Sequence, residues 1–139
     1  MMNRFTTEPT YLEQARKIAA FILNHPNLPA DGVPYWDFNA PVDKHTLRDA
    51  SAASIMASAL LELAQYTEGA EKTRYISMAE KILTTLSSKT YLAKYRQNGG
   101  FLLKHGVGNL PGKSEVDVPL TYGDYYFIEA MLRYKQWYL

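Results

Sequence analysis

Tyr35 and Trp36 stand side by side in the stretch VPYWDFNAPVDKHTLRDASAAS (residues 33–54), with Phe38 and then Arg48 further along it. Flat aromatic faces stack on sugar rings, and an arginine holds a carboxylate through two parallel N–H bonds. The aromatic part of the stretch has neither a helical nor a strand period, so these groups belong to a loop, where binding residues concentrate. Two readings stand. Either Tyr35, Trp36 and Arg48 face a ligand, or Trp36 plugs one end of the domain while Arg48 pairs with Asp37 or Asp49 to fasten the loop. The second is preferred.

Other chemistries fail on spacing. His25, His45 and His105 have no ligand spacing, so no metal site is expected. Zero cysteines exclude disulfides and thiolate sites and leave the redox compartment undetermined. GKS (112–114) would need a glycine at position 107 to complete a phosphate loop, and Val107 occupies it. No Ser-His-Asp arrangement is readable, and no cofactor is implied.

The elements that position the aromatic loop read as helices. The first runs from about Pro9 to Asn24, with Thr7 as N-cap, Pro9 in the first turn and a stripe of Leu12, Ala15, Ala19 and Ile22. The second, about Leu47 to Gln65, opens on Thr46 and Asp49 as a capping box. Ala53, Ala57, Leu60 and Ala64 form one stripe of it and Ser51, Ser54 and Ser58 another, so it is expected to be walled in on two sides. The third, about Ala70 to Ser88, repeats Tyr75, Ala79, Ile82 and Leu86. The last, about Tyr122 to Tyr138, starts with Thr121 as cap and Asp124 as its partner, and it is apolar on so many sides that burial is expected. Between the last two, FLLKH and EVDV are expected to pair as a short ribbon around GVGNLPGKS. The class is all-α, with alternating long and short connections.

Size and charge bound the rest. The 139 residues suffice for one domain. A formal net charge of +1, with basic residues scattered, leaves no footprint for nucleic acid or an anionic membrane. No apolar run approaches the roughly 20 residues needed to span a bilayer. MMNRFTTEPTYLEQARK lacks the apolar core of a signal peptide, which favours the cytoplasm as the location. Eleven Tyr and two Trp form a heavy amphipathic-aromatic load, suited to sugar and protein surfaces alike, although core filling accounts for most of it.

Three segments, VPYWDFNAP, RDASAASIMASALLEL and GGFLLKHGVGNLPGKSEVDVPLTYGDYYFIEAMLRY, together resemble the C-terminal portion of unsaturated glucuronyl hydrolases, glycoside hydrolase family 88. The resemblance implies an (α/α)6 barrel of twelve helices. It also implies an activity that removes 4,5-unsaturated uronic acid from the non-reducing end of lyase-generated oligosaccharides. Such a barrel takes roughly 300 residues or more, whereas this chain supplies four or five helices. It therefore reads as a fragment or truncated relative carrying the closing third.

By the same resemblance, an aspartic acid protonates the vinyl-ether double bond and water adds at C5. Both family aspartates that matter lie in the N-terminal half, and Asp37, Asp49, Asp117 and Asp124 match neither. No catalytic residue is therefore assigned, and the isolated chain is expected to be inactive. Lys113 lies in NLPGKSEVD, the loop that in relatives contributes to recognising a sulfate or the neighbouring sugar. Pro111 and Gly108 replace serines that some relatives carry there, which puts sulfate recognition in question; a solvated loop lysine is the plainer reading. His105 is either a hydrogen-bonder at the rim or a structural histidine, the latter preferred.

The expected partner of the whole enzyme is an unsaturated uronic-acid oligosaccharide, and that of the chain is a complementing N-terminal barrel segment or a second copy. The competing reading is a non-catalytic helical module that binds a protein or an acidic sugar. Stranding on the order of 1,000 Å² of apolar surface forgoes about 25 kcal/mol of burial, more than a typical domain's roughly 5–15 kcal/mol of stability. The chain is thus expected to self-associate, to lay its last helix across the gap, or to fold marginally.

Overall fold

A computed structural model describes residues 2–139. Its helices are α1 (Met2–Thr6), α2 (Pro9–Leu23), α3 (Ala50–Leu63), α4 (Gly69–Leu86) and α5 (Thr121–Trp137). Strands β1 (Gly106–Asn109) and β2 (Ser114–Val118) form one antiparallel ribbon. The all-α class with a short ribbon is as expected.

The helix α3 occupies the middle and packs against both α4 and α5. Its composition explains the position. Ala53, Ala57 and Ala64 are fully buried and Leu60 nearly so, while Ser51, Ser54 and Ser58 line a second buried face. Small side chains on two faces let two neighbouring helices approach closely. On α4 the predicted stripe of Tyr75, Ala79, Ile82 and Leu86 is buried throughout. The loop before α3 crosses α4 at Gly32, where φ is +81° and a Cβ would lie 2.6 Å from Ile82 Cγ1. Only glycine suits that crossing.

Helix starts differ from expectation in three places. Thr7 has φ of +57° and separates α1 from α2, so Glu8 takes the cap position and offers no side-chain bond. Thr46 does not cap α3, because its hydroxyl is spent within a turn, donating to the Pro41 carbonyl at 2.9 Å and accepting from Asp43 N–H at 2.8 Å. Asp49 is the cap itself, accepting from Ser51 N–H at 2.9 Å. At α5 the cap position falls on Leu120, and Asp124 turns outward to accept the Leu102 and Leu103 N–H groups at 2.7 and 2.8 Å.

That last pair of bonds also moves the ribbon. Leu103, expected in a strand with EVDV, is held to the start of α5 and bridges Leu92 instead. His105, at φ +63°, then breaks the extended run. The strand begins one residue later, with Val107 opposite Val116 and Asn109 opposite Ser114.

The expectation of a buried last helix is corrected most plainly. Phe127, Ala130, Arg133 and Gly123 are buried on α5, yet Tyr125, Ile128, Met131 and Leu132 are about half exposed. Its inner face meets α3, and its outer face carries an apolar stripe toward solvent. Ile18 and Phe21 on α2 are exposed likewise, so the helical layer has open apolar flanks.

Candidate functional site

The aromatic loop is fastened to α3 by an extended bridge between Tyr35 and Arg48. Trp36 N–H donates to the Leu47 carbonyl at 3.0 Å, and Asp49 N–H to the Pro34 carbonyl at 2.9 Å. Tyr35 and Trp36 are half-buried as a result. The Arg48 guanidinium donates twice to the Val33 carbonyl, at 2.9 and 2.6 Å, and also to Asp31. Its centre lies 5.2 Å from the Tyr35 ring centroid, within cation–π range. Arg48 thus fastens the loop, but through Asp31 rather than Asp37 or Asp49. Asp37 instead accepts from Asn39 N–H at 2.8 Å.

The ribbon joins this loop at its inner end. The His105 carbonyl accepts Ala50 N–H at 3.0 Å, the first residue of α3. Asp49 gathers three donors on one oxygen: Ser51 N–H, the Ser51 hydroxyl at 2.6 Å, and Val107 N–H at 3.3 Å. One carboxylate therefore caps α3 and holds β1. The His105 ring bonds Asp117 of β2 through Nδ1 at 2.6 Å and meets the buried Tyr91 ring edge-on at 5.9 Å. Burial pushes the Tyr91 phenol above its ordinary value, with the Arg48 charge opposing and Asp31 assisting. Arg48 thus links Tyr35 to Asp31, and His105 links Tyr91 to Asp117.

Lys113 is not part of it. It sits exposed in the turn between β1 and β2, at φ +53°, with its N–H on the Leu110 carbonyl at 3.0 Å. The length of the ribbon separates it from His105, about 13 Å for the four residue steps from His105 to Asn109 at roughly 3.3 Å per residue. Reasoning from sequence missed Asp31, Tyr91 and Asp124 as the residues that set this rim. Among the described residues no group of three or more His, Asp or Glu could hold a metal ion, and no helix is long and apolar enough to cross a membrane.

No protein-family profile matches the chain. Individual proteins do. An unsaturated glucuronyl hydrolase of Formosa agariphila is 51% identical over 133 residues, covering 96% of this chain and 32% of the relative. An unsaturated chondroitin disaccharide hydrolase of Streptococcus pyogenes is 33% identical, over 96% of this chain and 34% of its own length. Among solved structures, an unsaturated glucuronyl hydrolase specific for heparin superposes with a TM-score of 0.92 at 48% identity, over 96% of this chain and 36% of that one. The unsaturated glucuronyl hydrolase of Bacillus sp. GL1 gives 0.86 at 32% identity, over 96% and 35%. The chain spans about a third of the length of the relatives it matches. Within that span, by sequence and by fold, it is similar to unsaturated glucuronyl hydrolases.

Proposed function

We propose that this chain supplies the rim-bearing third of a barrel glycoside hydrolase that removes 4,5-unsaturated uronic acid from lyase-generated oligosaccharides. In this reading the remaining two thirds of the barrel complete the pocket and bring the acid. The observation that carries the reading is the state of the aspartates. All six already accept structural hydrogen bonds: Asp31 from Val33 and Arg48, Asp37 from Asn39, Asp43 from His45, Asp49 from Ser51 and Val107, Asp117 at His105, and Asp124 from Leu102 and Leu103. A general acid must present its proton to the reacting bond, whereas each of these carboxylates already serves a structural hydrogen bond. Without a positioned acid, about 10²–10⁴-fold of the rate is missing from that source alone.

What the chain contributes is recognition. Trp36 stacks on the sugar from the anchored loop, and His105, oriented by Asp117, offers a hydrogen bond at the mouth. Lys113 supplies a cation at the ribbon tip for an anionic neighbouring sugar. Tyr35 and Arg48 anchor the loop that carries Trp36, since they bridge each other and the guanidinium is engaged by Val33 and Asp31. The test is a hybrid in which this chain replaces the matching third of the Formosa agariphila relative, assayed on unsaturated heparin and chondroitin disaccharides. Trp36→Ala should raise KM about tenfold with a smaller change in kcat, and Lys113→Ala should raise KM for a sulfated substrate only. A folded hybrid that hydrolyses neither disaccharide overturns the proposed activity. A Trp36→Ala hybrid with unchanged KM removes Trp36 from the site.

A further inference from the structure

Residues 89–104, KTYLAKYRQNGGFLLK, hold the cations Lys89, Lys94, Arg96 and Lys104 and no carboxylate, in a chain whose net charge is only +1. The segment folds as a small hairpin. Leu92 bridges Leu103, Ala93 N–H donates to the Leu102 carbonyl at 2.8 Å, and Lys104 N–H donates to the Tyr91 carbonyl at 2.9 Å. At the tip, Gln97 N–H closes a turn on the Lys94 carbonyl at 3.0 Å. Arg96, Asn98, Gly99 and Gly100 all have positive φ, which brings the chain back. The Asn98 side chain holds the return strand by donating to the Leu103 carbonyl at 2.9 Å.

The tip turns its side chains outward. Tyr95 is 87% exposed, and Lys94, Arg96 and Gln97 beside it are exposed as well. The Arg96 guanidinium lies over one face of the Tyr95 ring, 5.2 Å from its centroid, and leaves the other face bare. Among the described residues none of the hairpin's cations is ion-paired. Asp124, which touches the hairpin, is occupied by the Leu102 and Leu103 N–H groups. Arg96 has φ of +64°, a backbone state that is uncommon outside glycine and concentrates at ligand-binding sites.

The root of the hairpin is the Tyr91–Lys104 pair, and the Tyr91 ring meets His105 edge-on. The hairpin therefore starts at the mouth. Its tip lies about 10 Å further out, at roughly 3.3 Å per residue over the steps from Tyr91 to Lys94.

We propose that the 94–97 turn is an outer binding site for an acidic oligosaccharide, where Tyr95 stacks on a sugar ring and Arg96, with Lys94, holds its carboxylate or sulfate. The inference rests on the reading above, that the mouth takes such a chain, and it extends the contact outward along it. An amphipathic aromatic face suits a sugar face. A guanidinium holds an oxyanion through parallel N–H bonds, and no carboxylate within the hairpin competes for it. Single-stranded nucleic acid would use the same two groups, but continuity with His105 favours a sugar chain that leaves the mouth.

The experiment reads affinity rather than turnover, so it separates this site from the proposed activity. The chain and, separately, the hybrid with the Formosa agariphila relative are titrated by calorimetry with hexasaccharides of heparin and of unsulfated chondroitin, and with the corresponding disaccharides. Tyr95→Ala should weaken hexasaccharide binding about fivefold, and Tyr95→Phe should restore it. Arg96→Asn, which suits the left-handed backbone, should weaken it about tenfold. Disaccharide affinity should not move with any of them, nor should hexasaccharide affinity with Lys81→Gln on the exposed side of α4. Binding of both hexasaccharides identifies the carboxylate as the anion held, and binding of the heparin one alone identifies the sulfate.

Hexasaccharide binding by neither protein overturns the proposal. So does binding that Tyr95→Ala and Arg96→Asn both leave unchanged, which is charge attraction alone. Tighter, Tyr95-dependent binding of a single-stranded oligonucleotide also overturns it, by assigning the turn to nucleic acid. A hybrid that hydrolyses nothing while hexasaccharide binds through Tyr95 keeps the outer site and refutes the activity instead.

Discussion

Replacing Asp49 by alanine is expected to uncouple the ribbon from α3. The Asp49 carboxylate is buried, caps α3 through Ser51, and holds the N–H of Val107. Losing the cap costs about 1 kcal/mol. Leaving the Val107 N–H without its acceptor in a buried site adds roughly 1–3 kcal/mol, toward the lower end because that bond is long at 3.3 Å. The sum is about 2–3 kcal/mol, a fall in the unfolding temperature on the order of 10 °C for a domain of this size. Urea unfolding followed by circular dichroism measures it by linear extrapolation. Asp49→Ser divides the two contributions, since a serine oxygen still reaches Ser51 N–H but is too short for Val107. Serine should recover about 1 kcal/mol and no more. Amide exchange should show the same split, with Val107 losing protection in both variants. A change below about 0.5 kcal/mol for alanine, or full recovery by serine, would refute the double role of this carboxylate.

Truncation of Arg133 should cost as much or more. Arg133→Ala removes the cation shared by Glu62 and Glu129 between α3 and α5, while Glu62 keeps Arg4 at 3.4 Å, and should destabilise by about 3 kcal/mol, read by urea midpoint. Alkali should weaken the fold in a defined window. The Tyr75 phenol is pushed up to about 12, first by burial and then by its bond to Glu71. Between about pH 10 and 12 the unfolded chain releases a proton that the folded chain keeps, so stability is full below that window and falls as pH rises through it. Tyr75→Phe should flatten the decline, with a remainder from Tyr91, Tyr134 and Tyr138, whose phenols are also raised. Arg48→Lys should loosen the aromatic loop nearly as much as Arg48→Ala, because an ammonium cannot span Val33 and Asp31 in a fixed fork. Faster proteolysis within residues 33–49 would register it.

The legible parts of the fold were those set by local periodicity. The Ala and Ser stripes of α3 and the Tyr75–Leu86 stripe of α4 are repeats in sequence and are buried as read. Helix starts were less legible, because a capping side chain has competitors far away in sequence. Asp124 serves Leu102 and Leu103, about twenty residues upstream, and Thr46 is consumed by its own turn. The burial of α5 was misread for a different reason. An all-round apolar helix signals neighbours on every side, and here one side of α5 faces solvent. Likewise Arg48 was assigned the right kind of task but a carboxylate that lay close in sequence, whereas the fold brings Asp31 to it from across the loop. The rim cluster of Tyr91, His105 and Asp117 depends on the ribbon register, which no short-range pattern specified.

The most direct test follows the ultraviolet absorbance of the substrate's C4–C5 double bond, with an unsaturated heparin or chondroitin disaccharide. Two preparations are compared: the isolated chain, and the folded hybrid that carries it in place of the matching third of the Formosa agariphila relative. The account predicts a constant signal with the first and a steady loss with the second. Turnover by the isolated chain, or a flat trace from the folded hybrid, would contradict it.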